Sequence, residues 1–312
     1  MPAVLLIVLT VILSTAVGVA AQRRNCERAR RARHVLLRLM LWVLMPFVAY
    51  VNIARAHLSL DAVLAIAIAA GAIVVAGTIS WRLARGTFRL PNATVGAAIV
   101  TTIQANTTYF GLPLVAALFS RAQLAQAVAY DGLVSLPLFV LGGFSVGARL
   151  GHAAGRGLAR QMRAAVLRNP MLFALIVALL VPDSWAPEAL VAPAHLMVLA
   201  QLPLGFFVVG VTLGDEADDG RMRFPPPLTR PIAAFVTLRM TFAPLVLLLV
   251  GLVLIDVPAP FYLMAAMPVA VNTVIVGHAT GLDLRLTSSC IAWSTVVALA
   301  GVLALTLVRA IV

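Results

Sequence analysis

The sequence predicts an all-α integral membrane protein, and three observations carry that prediction. Apolar residues make up 62% of the 312 positions and charged residues only 11%, too few charges to cover the surface of a water-soluble domain. The apolar residues gather into runs of about 20, the length an α-helix needs to cross a hydrocarbon core about 30 Å thick. All 23 basic residues are arginines, and they lie between the runs. A net charge of +12 would suit nucleic acid if basic and aromatic residues shared one face. As flanks of apolar spans, the arginines instead mark membrane boundaries. The lipid bilayer is therefore the expected environment, and nucleic acid is excluded as a partner.

Taken in order, apolar runs bounded by charge, proline or glycine fall at residues 3–21, 34–54, 61–81, 92–119, 124–147, 169–182, 190–213, 231–255, 259–281 and 285–311, which predicts ten helices. The first run has the small residues near Ala20 that a secretion signal carries. However, its positive charge, Arg23, Arg24, Arg28, Arg30, Arg31 and Arg33, follows the apolar stretch rather than preceding it, so it is read as a membrane helix. The sixth run is short, and Arg168, Asn169 and Pro170 blur its start. Cys26, placed in an Arg-rich loop, and Cys290 are the two cysteines. A disulfide is not expected on the reducing side of a membrane, and neither is a cofactor.

Alternate loops differ in charge. The loops after the odd-numbered runs, with the helix ends beside them, hold 18 of the 23 arginines, among them Arg82, Arg85, Arg89, Arg149, Arg156, Arg160 and Arg163. The other side has Arg55, Arg121 and Arg309. Cytoplasmic loops carry the excess of positive charge, so both termini are expected outside the cytoplasm of a multi-pass cell-membrane protein. The acidic stretch Asp215, Glu216, Asp218 and Asp219 does not alter this, because orientation follows arginine and lysine rather than net charge.

Helix breakers disclose an internal repeat. Pro46 and Pro113 stand 67 residues apart, and Pro203 and Pro268 stand 65 apart. The predicted organisation is a first five-helix repeat over residues 1–147, a cytoplasmic linker over 148–168, and a second, inverted five-helix repeat over 169–312, with helices four and nine broken. Two inverted halves are a transporter architecture, with the substrate expected near the membrane midplane where discontinuous helices meet.

The breaks carry the chemistry. The fourth run contains Asn106-Thr107-Thr108-Tyr109-Phe110-Gly111-Leu112-Pro113-Leu114, and the ninth contains Met267-Pro268-Val269-Ala270-Val271-Asn272-Thr273. Pro113 and Pro268 cannot donate a helical hydrogen bond, and Gly111 removes bulk beside one of these defects. Broken backbone at membrane depth persists only where protein or a watery cavity satisfies it. Half-helices starting near Leu112 and Pro268 would point unpaired N–H groups and a positive dipole end into that cavity, which suits a carboxylate. Asn106 and Asn272 supply amide donors, and Thr107, Thr108 and Thr273 supply hydroxyls. The expected ligand is a small organic anion. The competing reading of these side chains is that they stitch helices together.

Asn106-x-x-Tyr109-x-Gly111-Leu112-Pro113-Leu114 and Met267-Pro268-x-Ala270-Val271-Asn272 resemble the two crossover-helix motifs of the auxin efflux carrier family, which includes bacterial malonate and malate permease-like proteins and plant PIN carriers. Asn169-Pro170, Pro203 to Leu213, and Leu238-Arg239 with Pro244 extend the resemblance over most of the chain. It implies the ten-helix inverted-repeat fold shared with bile-acid/sodium symporters, a scaffold and a transport domain, and substrate at the crossing of helices four and nine. Asn106 and Asn272 inherit the substrate-contacting role, and Pro113 and Pro268 the crossover role. Thr108 departs from the glycine that many bacterial members carry, so no member's substrate transfers directly.

Asp131 is the one acidic residue these spans place inside the membrane. It either couples proton movement to transport or acts as a structural acceptor near the interface, paired to Arg121 or a backbone donor. Arg239 is read as snorkelling to the inner interface, with contact to an entering anion as the alternative. His278 is read as interfacial or packing, and His195 is unassigned. Helices four and nine hold no carboxylate, which favours protons or uniport over sodium. Gly143-Phe144-Ser145-Val146-Gly147 formally matches a nucleophile motif, but it ends a membrane helix rather than a strand. The four-residue spacing of Gly143, Gly147, Gly151 and Gly155 predicts close helix packing instead. An enzyme is therefore not expected. A membrane-embedded receptor or a channel on the same fold is the alternative to a carrier, and a homodimer is left open.

Overall fold

The computed structural model describes residues 2–56, 58–152, 163, 169–218 and 226–311. Most of the expected linker 148–168, with Arg156, Arg160 and Gly155, lies outside the described residues, as does Asp219. The described residues form helices and contain no strand.

Seven helices are long and apolar enough to cross a membrane. They are α1 (Pro2–Arg24), α2 (Cys26–Ala54), α3 (Leu60–Thr87), α6 (Arg121–Leu150), α8 (Glu188–Asp218), α9 (Arg230–Val253) and α12 (Leu284–Ile311). Between them lie shorter apolar helices, α4 (Asn92–Ile103), α5 (Thr107–Leu118) and α7 (Pro170–Leu180), and the pair α10 (Ala259–Ala265) and α11 (Asn272–Thr280). The fourth apolar run thus holds α4 and α5, and the ninth holds α10 and α11.

Local chemistry sets the boundaries. Ser120 and Gln123 close a capping box on α6, satisfying first-turn donors that have no helical partner. The start of α7, blurred in the sequence, is sharp: the Asn169 side chain accepts from the amides of Met171 at 3.0 Å and Leu172 at 3.3 Å, and Pro170 occupies a position where its missing N–H costs nothing. Gly281 ends α11 at φ 74°, a left-handed conformation that suits glycine.

One element departs from expectation. The arginine-rich stretch is not a loop, because α2 begins at Cys26, with Asn25 alone separating it from α1. Asn25 accepts from the Arg28 amide at 3.0 Å, and arginine is a strong helix former. The arginines therefore line the first turns of a helix that runs on into the membrane.

The tightest pairing joins α1 and α8. A methyl group at Gly18 would collide with the Phe207 carbonyl, and one at Gly210 would collide with the Thr15 carbonyl. Glycines thus let these two backbones touch, the device by which helices associate where lipid offers no hydrophobic driving force. Thr15 meets Gly210 and Gln22 meets Gly214, so both helices run in the same direction. The predicted glycine ridge of α6 behaves alike, with Gly147 and Gly151 against Thr280 of α11 and Gly143 against Gln104. Leu6, Leu13, Trp42, Leu249 and Leu252 stand exposed on the outside, as suits a hydrocarbon solvent.

Candidate functional site

The two broken helices meet. Residues 104–106 separate α4 from α5, and residues 266–271 separate α10 from α11. These stretches pair antiparallel at Ala105 and Val269. The Asn106 amide donates to the Pro268 carbonyl at 2.7 Å, and the Ala270 amide donates to the Gln104 carbonyl at 3.1 Å. The Val269 amide reaches the Ser294 hydroxyl of α12 at 3.0 Å. Each break thus satisfies part of the other, as backbone at membrane depth must.

The half-helices begin at Thr107 and Asn272, five residues before Leu112 and four after Pro268. Pro113 falls inside α5 because a π turn over Thr107–Gly111 precedes it, with the Gly111 amide bonded to the Asn106 carbonyl at 3.1 Å. That wider turn shifts the register ahead of the proline. Met267 and the residues after it stay unwound because a residue preceding proline disfavours the helical region. Gly111 faces Met264 and Met267, which a methyl group would approach to 2.8 and 3.0 Å, so its role is close passage of one broken helix over the other.

Asp131 lies at this crossing rather than near the interface. It is 1% exposed and accepts hydrogen bonds from the hydroxyls of Thr107 and, at 3.0 Å, Thr108. Thr107 also reaches Ser135 at 2.9 Å. The pairing to Arg121 is corrected: Arg121 faces Glu188 at 3.8 Å. A negative carboxylate at the first turn of α5 sits where the helix dipole favours it. Sequence spacing could not reveal this, since Asp131 comes from a different helix. The two breaks themselves carry no carboxylate, yet their crossing has one.

Asn272 lies at the opposite break. With Asp131, Thr107, Thr108, Tyr109, Ser135 and Gln104 it lines a cavity of about 80 Å³, room for a few waters. Asn272 also lines a second cavity of about 520 Å³, bounded by Arg33, His34, Thr212, Val271 and His278, which falls in the range of small-molecule sites. The rim of this larger cavity is charged. Asp215 pairs with Arg33 at 2.6 Å and Arg30 at 2.9 Å, and buried Glu216 pairs with His278 at 2.9 Å. His278 therefore has a polar partner beyond simple packing.

The remaining sequence candidates divide. The Asn106 side chain is 4% exposed and forms no hydrogen bond among the described residues. The Thr273 hydroxyl donates to the Ala270 carbonyl at 2.7 Å, holding the start of α11. Gln104 was not singled out by sequence, although both polar atoms of its buried amide lack a partner. Its position as an amide inside an apolar run, two residues before Asn106, was the available signal.

Arg239 does not snorkel. It is 2% exposed, and its guanidinium donates to the carbonyls of Ala265 at 2.8 Å, Met267 at 3.3 Å and Thr102 at 3.4 Å. These carbonyls lie at the C-terminal ends of α10 and α4 and in the break itself. A helix end leaves carbonyls unpaired, and here three such carbonyls gather around the buried guanidinium.

The fold and the comparisons point to one class: a multi-pass helical membrane protein similar to membrane transport proteins, which are not in general enzymes. Residues 3–151 match the family described as Membrane transport protein, which is the auxin efflux carrier family that the crossover motifs resemble. The chain is also 28% identical over 271 residues to an uncharacterized transporter of Methanothermobacter thermautotrophicus, with 85% of each chain covered.

Proposed function

We propose that the chain is a secondary transporter of small organic anions, mono- or dicarboxylates, working by elevator-type alternating access with the anion held at the crossing of the two broken helices. Asn272 carries this reading. It opens α11, whose positive dipole end favours an anion, and with Arg33 and His34 it lines the larger cavity. Asn106, whose side chain has no hydrogen-bond partner among the described residues, is the second substrate donor. Thr107 and Thr108 act through Asp131, and Thr273 through the shape of the α11 start. Gly111, Pro113 and Pro268 maintain the crossover.

Asp131 is the proton-coupling group in this reading, because a buried carboxylate held by the Thr107 and Thr108 hydroxyls is a group whose charge can change during a transport cycle. Two inverted five-helix repeats, residues 1–147 and 169–312 joined through 148–168, account for the paired breaks. The parallel packing of α1 and α8 requires an even number of crossings between their starts, as the ten-span order has. The arginine asymmetry supports both termini outside the cytoplasm.

Uptake of labelled mono- and dicarboxylates into proteoliposomes under imposed proton or sodium gradients tests the function. Saturable accumulation that follows a gradient is expected. Binding without flux would make the protein a receptor, and unsaturable flux would make it a channel.

A further inference from the structure

The guanidinium of Arg239 sits where a coupling cation would sit. In broken-helix transporters, unwound carbonyls and the negative ends of half-helices are what coordinate a monovalent cation. Here the carbonyls of Thr102, Ala265 and Met267 converge on one side chain of α9, from both broken helices. Arg239 forms no ion pair among the described residues, and the ionisable side chain of Tyr130 faces it, its buried hydroxyl without a hydrogen-bond partner among the described residues. The charge of Arg239 is therefore balanced by peptide dipoles, as an inorganic cation's charge would be. Arginine keeps its charge in this setting, where lysine gives it up readily on burial.

We propose that Arg239 is a built-in cation that replaces sodium at the crossover and binds the negative ends of α4 and α10 together. Two consequences follow from the geometry. The wild-type crossover is complete without inorganic cation. Shortening the side chain leaves a buried ring of carbonyls lacking their cation, which creates a site for a monovalent ion. Arg239 is thus a positioning residue, holding the two breaks against each other without touching substrate. The cation role concerns the crossover of the transporter proposed above, but its test reads stability and stands apart from flux.

Purified protein in detergent is melted in sodium, potassium or choline chloride at equal ionic strength, with guanidinium chloride as a further arm kept below about 20 mM, far under the molar concentrations that unfold proteins. The wild-type Tm is expected to be the same in sodium and choline. Arg239→Ala should melt at least about 5 °C lower in choline and recover a substantial part of that loss in sodium, potassium or guanidinium, with Arg239→Gln behaving alike. Arg239→Lys should lose less and show weaker cation dependence. A wild-type protein stabilised specifically by sodium would overturn the proposal. So would Arg239→Ala and Arg239→Gln variants that fold, melt low and respond to none of the three cations. If Arg239→Ala fails to fold in every salt, Arg239→Gln decides the matter by the same readout.

Discussion

The two breaks share a plan but differ in what fills them. At the first, the start of α5 is occupied by the protein itself, with Asp131 accepting from Thr107 and Thr108 inside a cavity of about 80 Å³. At the second, the start of α11 faces a cavity of about 520 Å³ through Asn272. A positive helix end attracts an anion in either place. At the first break the anion is covalently part of the chain, and at the second the proposed function puts a ligand in its place. In the function proposed above, the first break carries proton handling through Asp131, and the second carries the main substrate contact through Asn272, which also reaches the smaller cavity.

That division can be broken by four substitutions, from the largest expected effect to the smallest. Replacing Asp131 by Asn should abolish accumulation driven by a pH gradient while leaving substrate binding to purified protein within about threefold of wild type. Retained pH-driven accumulation would remove Asp131 from coupling. Replacing Asn272 by Ala removes a donor to a charged ligand and should weaken binding about 10-fold or more, since such bonds contribute about 1.5–3 kcal/mol. Asn106→Ala should weaken binding in the same direction but less, because Asn106 holds the crossing through its backbone. Isothermal titration of both variants measures the order, and unchanged affinity in both would sink the site. Thr273→Val should change affinity less than about threefold and lower stability by about 1 kcal/mol, the net worth of one neutral hydrogen bond. A larger loss of affinity than that of Asn272→Ala would make Thr273 the primary contact.

Much of the fold was legible because membrane physics is written in composition. Every apolar run holds helix, and the motifs pointed to the segments that cross. What escaped was position in depth and in the third dimension. Pro113 and Pro268 signalled breaks, yet the helices restart at Thr107 and Asn272, because a π turn and the unwinding around a proline spread the defect over several residues. Arg239 reads as interfacial from its distance along a helix, and the same spacing leaves Asp131 between a coupling group inside the membrane and a structural acceptor near its edge. Their burial comes from neighbours on other helices that no linear spacing encodes.

By itself, the sequence determined that this chain is built of apolar helices suited to a bilayer, which segments form them, and that two of those segments break, because each of these follows from local chemistry: span length, hydropathy and the missing N–H of proline. The tertiary structure alone decided which groups meet at the breaks. It placed a carboxylate from α6 at one half-helix start, a cavity at the other, and an arginine from α9 across the carbonyl ends of both. Burying a charge inside a membrane is costly unless it is partnered, and partners for these charges exist only once separate helices are packed together.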